Sequence, residues 1–230
     1  GRLAAGPPAP PLDAIFTGGG PVFPHLLRKL ERWASRSDIY AVYGSTEAEP
    51  IAHIRSADIG APEYAAMEAG GGLLTGTPVP EIAIRLIDEE IVVAGPHVNE
   101  SYLDPTHNAE TKLRVDNRIW HRTGDLGRLD ESGRLWLLGR RAGRIAGLHP
   151  FAVECAALSW PGVESAALAA IDGEAVLALS GNHARLDDWK DRARVLGIAK
   201  IRHLPKIPLD RRHGSKVDYA ELQRRLATFR

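Results

Sequence analysis

The stretch that most constrains this chain lies near its start: a short apolar run, three glycines, a helical pattern and a second apolar run. Ala14, Ile15 and Phe16 read as a short buried strand, followed by the loop Thr17-Gly18-Gly19-Gly20-Pro21. Leu26, Leu27, Leu30, Trp33 and Ala34 recur at helical spacing, which predicts a helix over residues 24–35. Residues 39–43 form a second strand that breaks at Gly44. Strand, glycine loop, helix, strand is a βαβ unit, whose crossover pairs the two strands in parallel. Such units put the loops after their strands at the carboxyl edge of the sheet, where open α/β folds take their ligands. The Gly18–Gly20 loop and Gly44-Ser45-Thr46-Glu47 are therefore expected to face one crevice.

The pattern changes from about residue 59 to residue 139, where short strands are expected. Ile82, Ile84 and Leu86 alternate, and Ile91-Val92-Val93 follows an acidic turn. Residues 126–129 and 134–138 flank Asp130-Glu131-Ser132-Gly133, a hairpin signal. After Gly139 the pattern changes again. It predicts a helix over 151–160 stopped by Pro161-Gly162, strands over 163–171 and 175–179, and a helix ending at Gly197. A last helix is expected after Asp218, which precedes Glu221 by three as in a capping box. The expected fold is α/β plus α+β. A remnant of a parallel α/β subdomain (12–58) leads into a β-rich, barrel-like subdomain (59–139). A small α+β domain (140–230) follows, joined near residues 140–146.

Composition excludes several function classes. The 29 basic and 29 acidic side chains cancel, whereas a chain built to grip nucleic-acid phosphates is normally basic. At 44% hydrophobic residues the chain is not of disordered composition. No segment approaches the roughly 18 consecutive apolar residues of a membrane span. The opening GRLAAGPPAPPL lacks a signal-peptide pattern and reads as linker. Cys155 is the single cysteine, so no internal disulfide forms and a cytoplasmic location is expected. The zero net charge hides a split. Residues 1–139 carry 13 Lys and Arg against 19 Asp and Glu, and residues 140–230 carry 16 against 10. A positive module facing an anion would explain the split, as would chance scatter.

Three glycines after a strand are by themselves a weak phosphate signal, and no Walker-type loop or zinc-ligand spacing occurs. The ordered set is more specific: Tyr43-Gly44-Ser45-Thr46-Glu47, Thr123-Gly124-Asp125-Leu126, Gly139-Arg140, and the basic loop from Pro208 to Asp218. In that order these resemble the motifs of adenylate-forming enzymes, the superfamily of acyl-CoA synthetases, peptide-synthetase adenylation domains and luciferases. The stretch GRLWLLGRR and residues 210–217 resemble the olefin-pathway β-lactone synthetases in detail.

The resemblance implies a two-step reaction. A carboxylate attacks the α-phosphate of ATP to give an acyl-adenylate and pyrophosphate, and a second nucleophile then displaces AMP. By the same resemblance Glu47 holds Mg²⁺ on the ATP phosphates, a task one carboxylate can serve because Mg²⁺ keeps several waters. Thr46 bonds the α-phosphate, Tyr43 lies against adenine, and Gly44 and Ser45 complete that loop. Gly18, Gly19 and Gly20 let the backbone approach the base, since no Cβ intrudes. Asp125 accepts both ribose hydroxyls, and Arg140 reaches the ribose from the linker. Lys216 is the implied catalytic lysine, offsetting charge between the attacking carboxylate and the phosphate. Lys206 is the competing assignment. Arg211, Arg212 and His213 are implied to steer this loop or touch phosphate. Residues 140–230 become a lid.

The sequence departs from the family at two places. The family's Ser/Thr/Gly-rich phosphate loop with a lysine lies well upstream of the Tyr-Gly-x-Thr-Glu motif, and no such loop precedes Tyr43 here. The chain is therefore expected to be a C-terminal half that works with a missing N-terminal portion or a complementing chain. An exposed apolar face on its truncated sheet would favour association. In the linker, Ala142 stands where the family carries Asp or Lys, and the stretch 145–150 is shortened. That shortening argues against coenzyme A transfer and for an intramolecular second step, a β-hydroxyl closing on the adenylate. The carboxylic acid substrate is expected to be fatty acyl or 3-hydroxyacyl. The alternative reading is a non-catalytic AMP-binding module; retention of both Glu47 and Lys216 argues against it.

Overall fold

The structure is a computed structural model that describes residues 9–210, 214 and 216–228. Strand β1 (Ala14–Thr17), helix α1 (Pro24–Trp33) and strand β2 (Asp38–Ser45) form the expected βαβ unit, with Ala14 opposite Asp38 and Thr17 opposite Ala41 in parallel register. Pro24 opens α1, and Leu27 and Leu30 point from one face of it into the core. Phe16 corrects the expectation of a buried first strand. It is 69% exposed and stacks on Tyr40, ring centroids 4.9 Å apart, because β1 is an edge strand with one neighbour.

The parallel part of the sheet ends with that pair. Thr46 and Glu47 form a two-residue turn, and β3 (Ala48–Arg55) runs back antiparallel to β2 with Ser45 opposite Ala48. Helix α2 (Ala61–Glu68), which sequence patterning did not anticipate, leads to β4 (Leu73–Pro78), β5 (Ala83–Ile87) and β6 (Glu90–Ala94). The single turn α3 (Asn108–Thr111), β7 (Lys112–Val115), β8 (Arg118–Leu129) and β9 (Leu135–Arg140) follow. These strands join one nine-stranded sheet in the order β1-β2-β3-β4-β9-β8-β6-β5, with β7 on β8. Hydrogen-bonded pairing therefore runs unbroken through both parts that the sequence divides at residue 59.

The second unit contains α4 (Pro150–Leu158), β10 (Val163–Ile171), β11 (Glu174–Gly181), α5 (Leu186–Val195), β12 (Lys200–His203) and α6 (Tyr219–Ala227). β11 sits at the centre of a three-stranded sheet, antiparallel to β10 and parallel to β12. One core, with Leu168, Leu177 and Trp189, lies on one side, and a smaller one, with Leu204, Leu222 and Leu226, on the other. Asp218 caps α6 by accepting the Glu221 amide at 3.0 Å.

Helix α4 belongs to both units. Every residue from Ala152 to Ala157 is buried, the acid Glu154 included, as expected of a helix packed on both sides. Cys155 joins the core of the large sheet, while Val153 and Ala157 join that of the small one. Phe151 meets Phe23 edge to face, centroids 6.4 Å apart. Gly139 permits this return of the chain. Its φ is +152°, and a Cβ there would lie 2.6 Å from Pro150 Cδ.

Candidate nucleotide-binding and active site

The two loops that the sequence assigns to one crevice lie at the carboxyl ends of adjacent strands. Gly18 packs against β2 so closely that a Cβ would sit 2.6 Å from the Val42 carbonyl oxygen, and Gly19 has φ +72°. A narrow cleft beside this loop is lined by Gly20, Val22, Ala41, Tyr43, Leu73 and Thr75. Gly44 also needs its missing side chain, since a Cβ would approach the Ala48 carbonyl oxygen to 2.9 Å. Ser45 ends β2 half-buried, Thr46 is exposed at the turn and Glu47 is half-buried beside it.

Tyr43, Asp125 and Arg140 meet directly. The Tyr43 hydroxyl donates to Asp125 Oδ2 at 2.9 Å. Arg140 Nη1 lies 3.1 Å from Asp125 Oδ1 and donates to the Thr123 carbonyl at 3.0 Å. Thr123 Oγ1 accepts the Asp125 amide at 3.0 Å and donates to the Ile91 carbonyl at 2.8 Å. Burial raises the Asp125 carboxyl above its ordinary value, with Arg140 and the Tyr43 hydroxyl opposing. Burial, then the Asp125 charge, drive the Tyr43 phenol well upward. Tyr43 is thus a buried strand tyrosine whose ring borders the cleft and whose hydroxyl braces Asp125.

Glu47 receives the Tyr102 hydroxyl on Oε1 at 2.9 Å. Burial pushes its carboxyl up, but hydrogen bonds led by Tyr102 outweigh it, and the net shift is downward. An ionised oxygen donor suits a hard cation such as Mg²⁺. Among the described residues no group of three or more His, Cys, Asp or Glu side chains is arranged to hold a metal. The fit is therefore to a cation carried largely by phosphate oxygens and water, with Glu47 as one further donor.

Lys216 is exposed and lies between β12 and α6. Asp210 donates its amide to the Lys216 carbonyl at 2.8 Å, and Leu209 pairs with Val217. The side chain reaches the glycine loop: a Cβ on Gly20 would be 4.0 Å from Lys216 Cε. Lys206 instead lines a separate cleft with Pro208, Asp218, Glu221 and Arg224. Arg211, Arg212 and His213 lie outside the described residues.

Sequence reasoning missed Tyr102 and Lys112, which flank Glu47, and Glu90. Burial lowers the Lys112 ammonium, with the Glu47 charge opposing, and Lys112 Nζ sits 5.2 Å from the Tyr102 ring centroid. Glu90, 3% exposed, accepts Arg122 Nε at 2.9 Å, Arg141 Nη1 at 3.1 Å and the Gly124 amide at 3.3 Å. Its neighbour Glu89 pairs with Arg144 at 2.8 Å and His149 at 3.4 Å. The linker after Gly139 is thus pinned at four positions: Arg140, Arg141, Arg144 and His149. Glu89 and Glu90 read locally as a solvated acidic turn; the adjacent Arg140-Arg141 pair was the available signal.

No family model matches the sequence. The chain is 27% identical to an olefin β-lactone synthetase of Xanthomonas campestris, over 94% of this chain and 47% of that protein. It is 33% identical to a 2-succinylbenzoate–CoA ligase of Geobacillus, over 70% of this chain and 33% of that protein. O-succinylbenzoate coenzyme A synthetase from Bacillus subtilis, solved with ATP and magnesium, superposes with a TM-score of 0.64 at 28% identity, over 90% of this chain and 46% of that one. The chain belongs with the adenylate-forming ligases. It matches the C-terminal half of that superfamily and spans about half the length, or less, of these relatives. IdnL7 shares the fold, with a TM-score of 0.77 at 24% identity over 93% of this chain and 44% of that one. No helix among the described residues is long and apolar enough to cross a membrane.

Proposed function

We propose that this chain supplies the ribose-binding, metal-binding and lysine elements of an ATP-dependent, carboxylate-activating ligase. The observation that carries the reading is the meeting of Tyr43, Asp125 and Arg140, with Tyr43 and Gly20 lining one cleft and Lys216 against Gly20. In the first step a carboxylate oxygen bonds to the α-phosphorus of ATP, the bond to the β-phosphate bridging oxygen breaks, and pyrophosphate leaves. Asp125 accepts the ribose hydroxyls, with Tyr43 and Arg140 fixing the carboxylate that does so. The glycine loop lets the adenine lie against backbone, and Gly44, Ser45 and Thr46 present the β2 turn to the α-phosphate. The Lys216 ammonium offsets the negative charge that gathers at the attacked phosphorus. Mg²⁺, held by Glu47 and the phosphates, would neutralise charge on the leaving pyrophosphate.

The acid is a fatty acyl or 3-hydroxyacyl compound, and the second step is β-lactone closure with AMP as leaving group. The names of the relatives support lactone closure and thioester formation alike, and the short linker stretch after Ala142 favours the intramolecular route. Residues 140–230 serve as a lid that carries Lys216 to the crevice, and an N-terminal portion or complementing chain supplies the remaining phosphate and acyl contacts.

Pyrophosphate exchange into ATP tests the reading, with the N-terminal portion present. Lys216→Ala is expected to abolish exchange while leaving AMP binding in place. Exchange unaffected by this substitution refutes the lysine's role. AMP binding without exchange in the unsubstituted protein would make the chain a non-catalytic module.

A further inference from the structure

Lys216 is exposed, yet in the proposed role its ammonium has to be held over one glycine. A closed ring of contacts in the structure accounts for that. The glycine loop leads directly to Phe23, the residue that precedes α1. Phe23 packs edge to face on Phe151 of α4. On the same helix Glu154, 2% exposed, turns its carboxylate into the second unit. Glu154 Oε1 accepts the Leu168 amide of β10 at 3.0 Å and the Tyr219 hydroxyl at 3.0 Å. Tyr219 is the first residue of α6, three residues after Lys216, and part of its ring stays exposed while its hydroxyl reaches inward. The ring closes where Lys216 Cε meets the Gly20 position.

A carboxyl group is costly to bury without partners, and an apolar side chain would fill the same place in α4. What Glu154 adds is direction: one oxygen atom ties α4, β10 and the start of α6 together. We propose that Glu154 and Tyr219 form a positioning pair for Lys216, fixing the start of α6, and with it Lys216 three residues before, relative to the glycine loop through α4. Neither residue touches the reacting groups; both act through the lysine. This inference rests on the role proposed for Lys216 above. Burial raises Glu154 to about 7, against the opposing Leu168 amide and Tyr219 hydroxyl, in keeping with a group retained for its hydrogen bonds rather than for its charge.

The test places a thiol beside the lysine. Gly20→Cys meets open space apart from Lys216, and the Gly20 backbone lies outside the left-handed region. The native thiol, Cys155, is buried and pushed up to about 12, so it stays unreactive. o-Phthalaldehyde condenses a neighbouring amine and thiol, with loss of water, to a fluorescent isoindole. Gly20→Cys is expected to give this product with Lys216, and adding Lys216→Ala to abolish it. Adding Tyr219→Phe is expected to slow it about fivefold, the scale of one lost hydrogen bond, with the thermal midpoint little changed. Adding Glu154→Gln, which keeps an oxygen for both donors, is expected to preserve the rate. Glu154→Ala is expected to slow it as Tyr219→Phe does. An unchanged rate in both Tyr219→Phe and Glu154→Ala overturns the positioning pair, as does Gly20→Cys giving no isoindole at all. If those results come with Lys216→Ala still abolishing pyrophosphate exchange, the positioning pair alone fails. Normal exchange in Lys216→Ala removes the proposed function beneath it.

Discussion

Replacing Glu154 with glutamine separates the charge of this side chain from its shape, and the structure sets the size of the effect. The carboxyl is wholly buried, and burial raises it from 4.5 to about 7 against the weaker opposing pull of the Leu168 amide and the Tyr219 hydroxyl. The folded protein therefore binds this proton more tightly than the unfolded chain does. The stability Glu154 contributes is complete below pH 4.5 and is lost as pH rises through about 7. The full swing is about 3 kcal/mol. Glutamine has no ionised form and escapes the loss. The titratable groups in contact do not interfere, since Cys155 is pushed up to about 12 and Tyr219 is raised further above its ordinary value. Urea unfolding, followed by the fluorescence of Trp160 and Trp189 in the same core, measures the difference. Glu154→Gln is expected to match the parent near pH 4 and to exceed it by about 3 kcal/mol near pH 8. A difference that stays constant across this range would show that Glu154 titrates as an ordinary carboxylate, and the reasoning from burial would be wrong.

Other perturbations test other parts of the structure. Asp125→Ala leaves the Tyr43 hydroxyl buried without its acceptor, so a stability loss of about 1–3 kcal/mol is expected by urea unfolding. Calorimetry should also show weakened AMP binding, and undiminished affinity would remove Asp125 from the ribose site. Gly139→Ala drives a methyl group into Pro150 at a backbone angle that side chains avoid, and is expected to cost about 1–3 kcal/mol of stability in the same assay. Phe16→Lys removes the exposed ring from edge strand β1 and is expected to lower self-association in sedimentation velocity.

Local chemistry was legible in the sequence wherever one element decides its own shape. The apolar spacing of α1 marks its buried face. The β8–β9 hairpin is announced by Asp130, whose Oδ1 accepts the Ser132 and Arg134 amides at 3.0 and 2.9 Å, and by Gly133 at φ +72°. Helix α2 was missed because its eight residues, rich in alanine, show no dominant apolar face. β8 was read too short because Thr123-Gly124-Asp125 resembles a loop; the strand continues through it, with Gly124 at φ +71° and a register shift just beyond.

The candidate site divides in the same way. Tyr43 and Asp125 are 82 positions apart, and no periodicity links them; ordered motifs brought them onto one list, and sheet pairing brings them into contact. Tyr102 and Glu90 carried no such mark. A tyrosine in a polar loop and an acid in a turn are ordinary until the fold sets them beside Glu47 and the linker arginines.

The double membership of α4 also bears on how the protein is made. The described strands of the sheet that carries the crevice all lie at or before Arg140, but Cys155 and Phe151 cover part of its interior from downstream. During synthesis that cover cannot arrive before residue 158 has been added. Helix α4 also contributes Val153 and Ala157 to the second core, so neither core closes without this one segment.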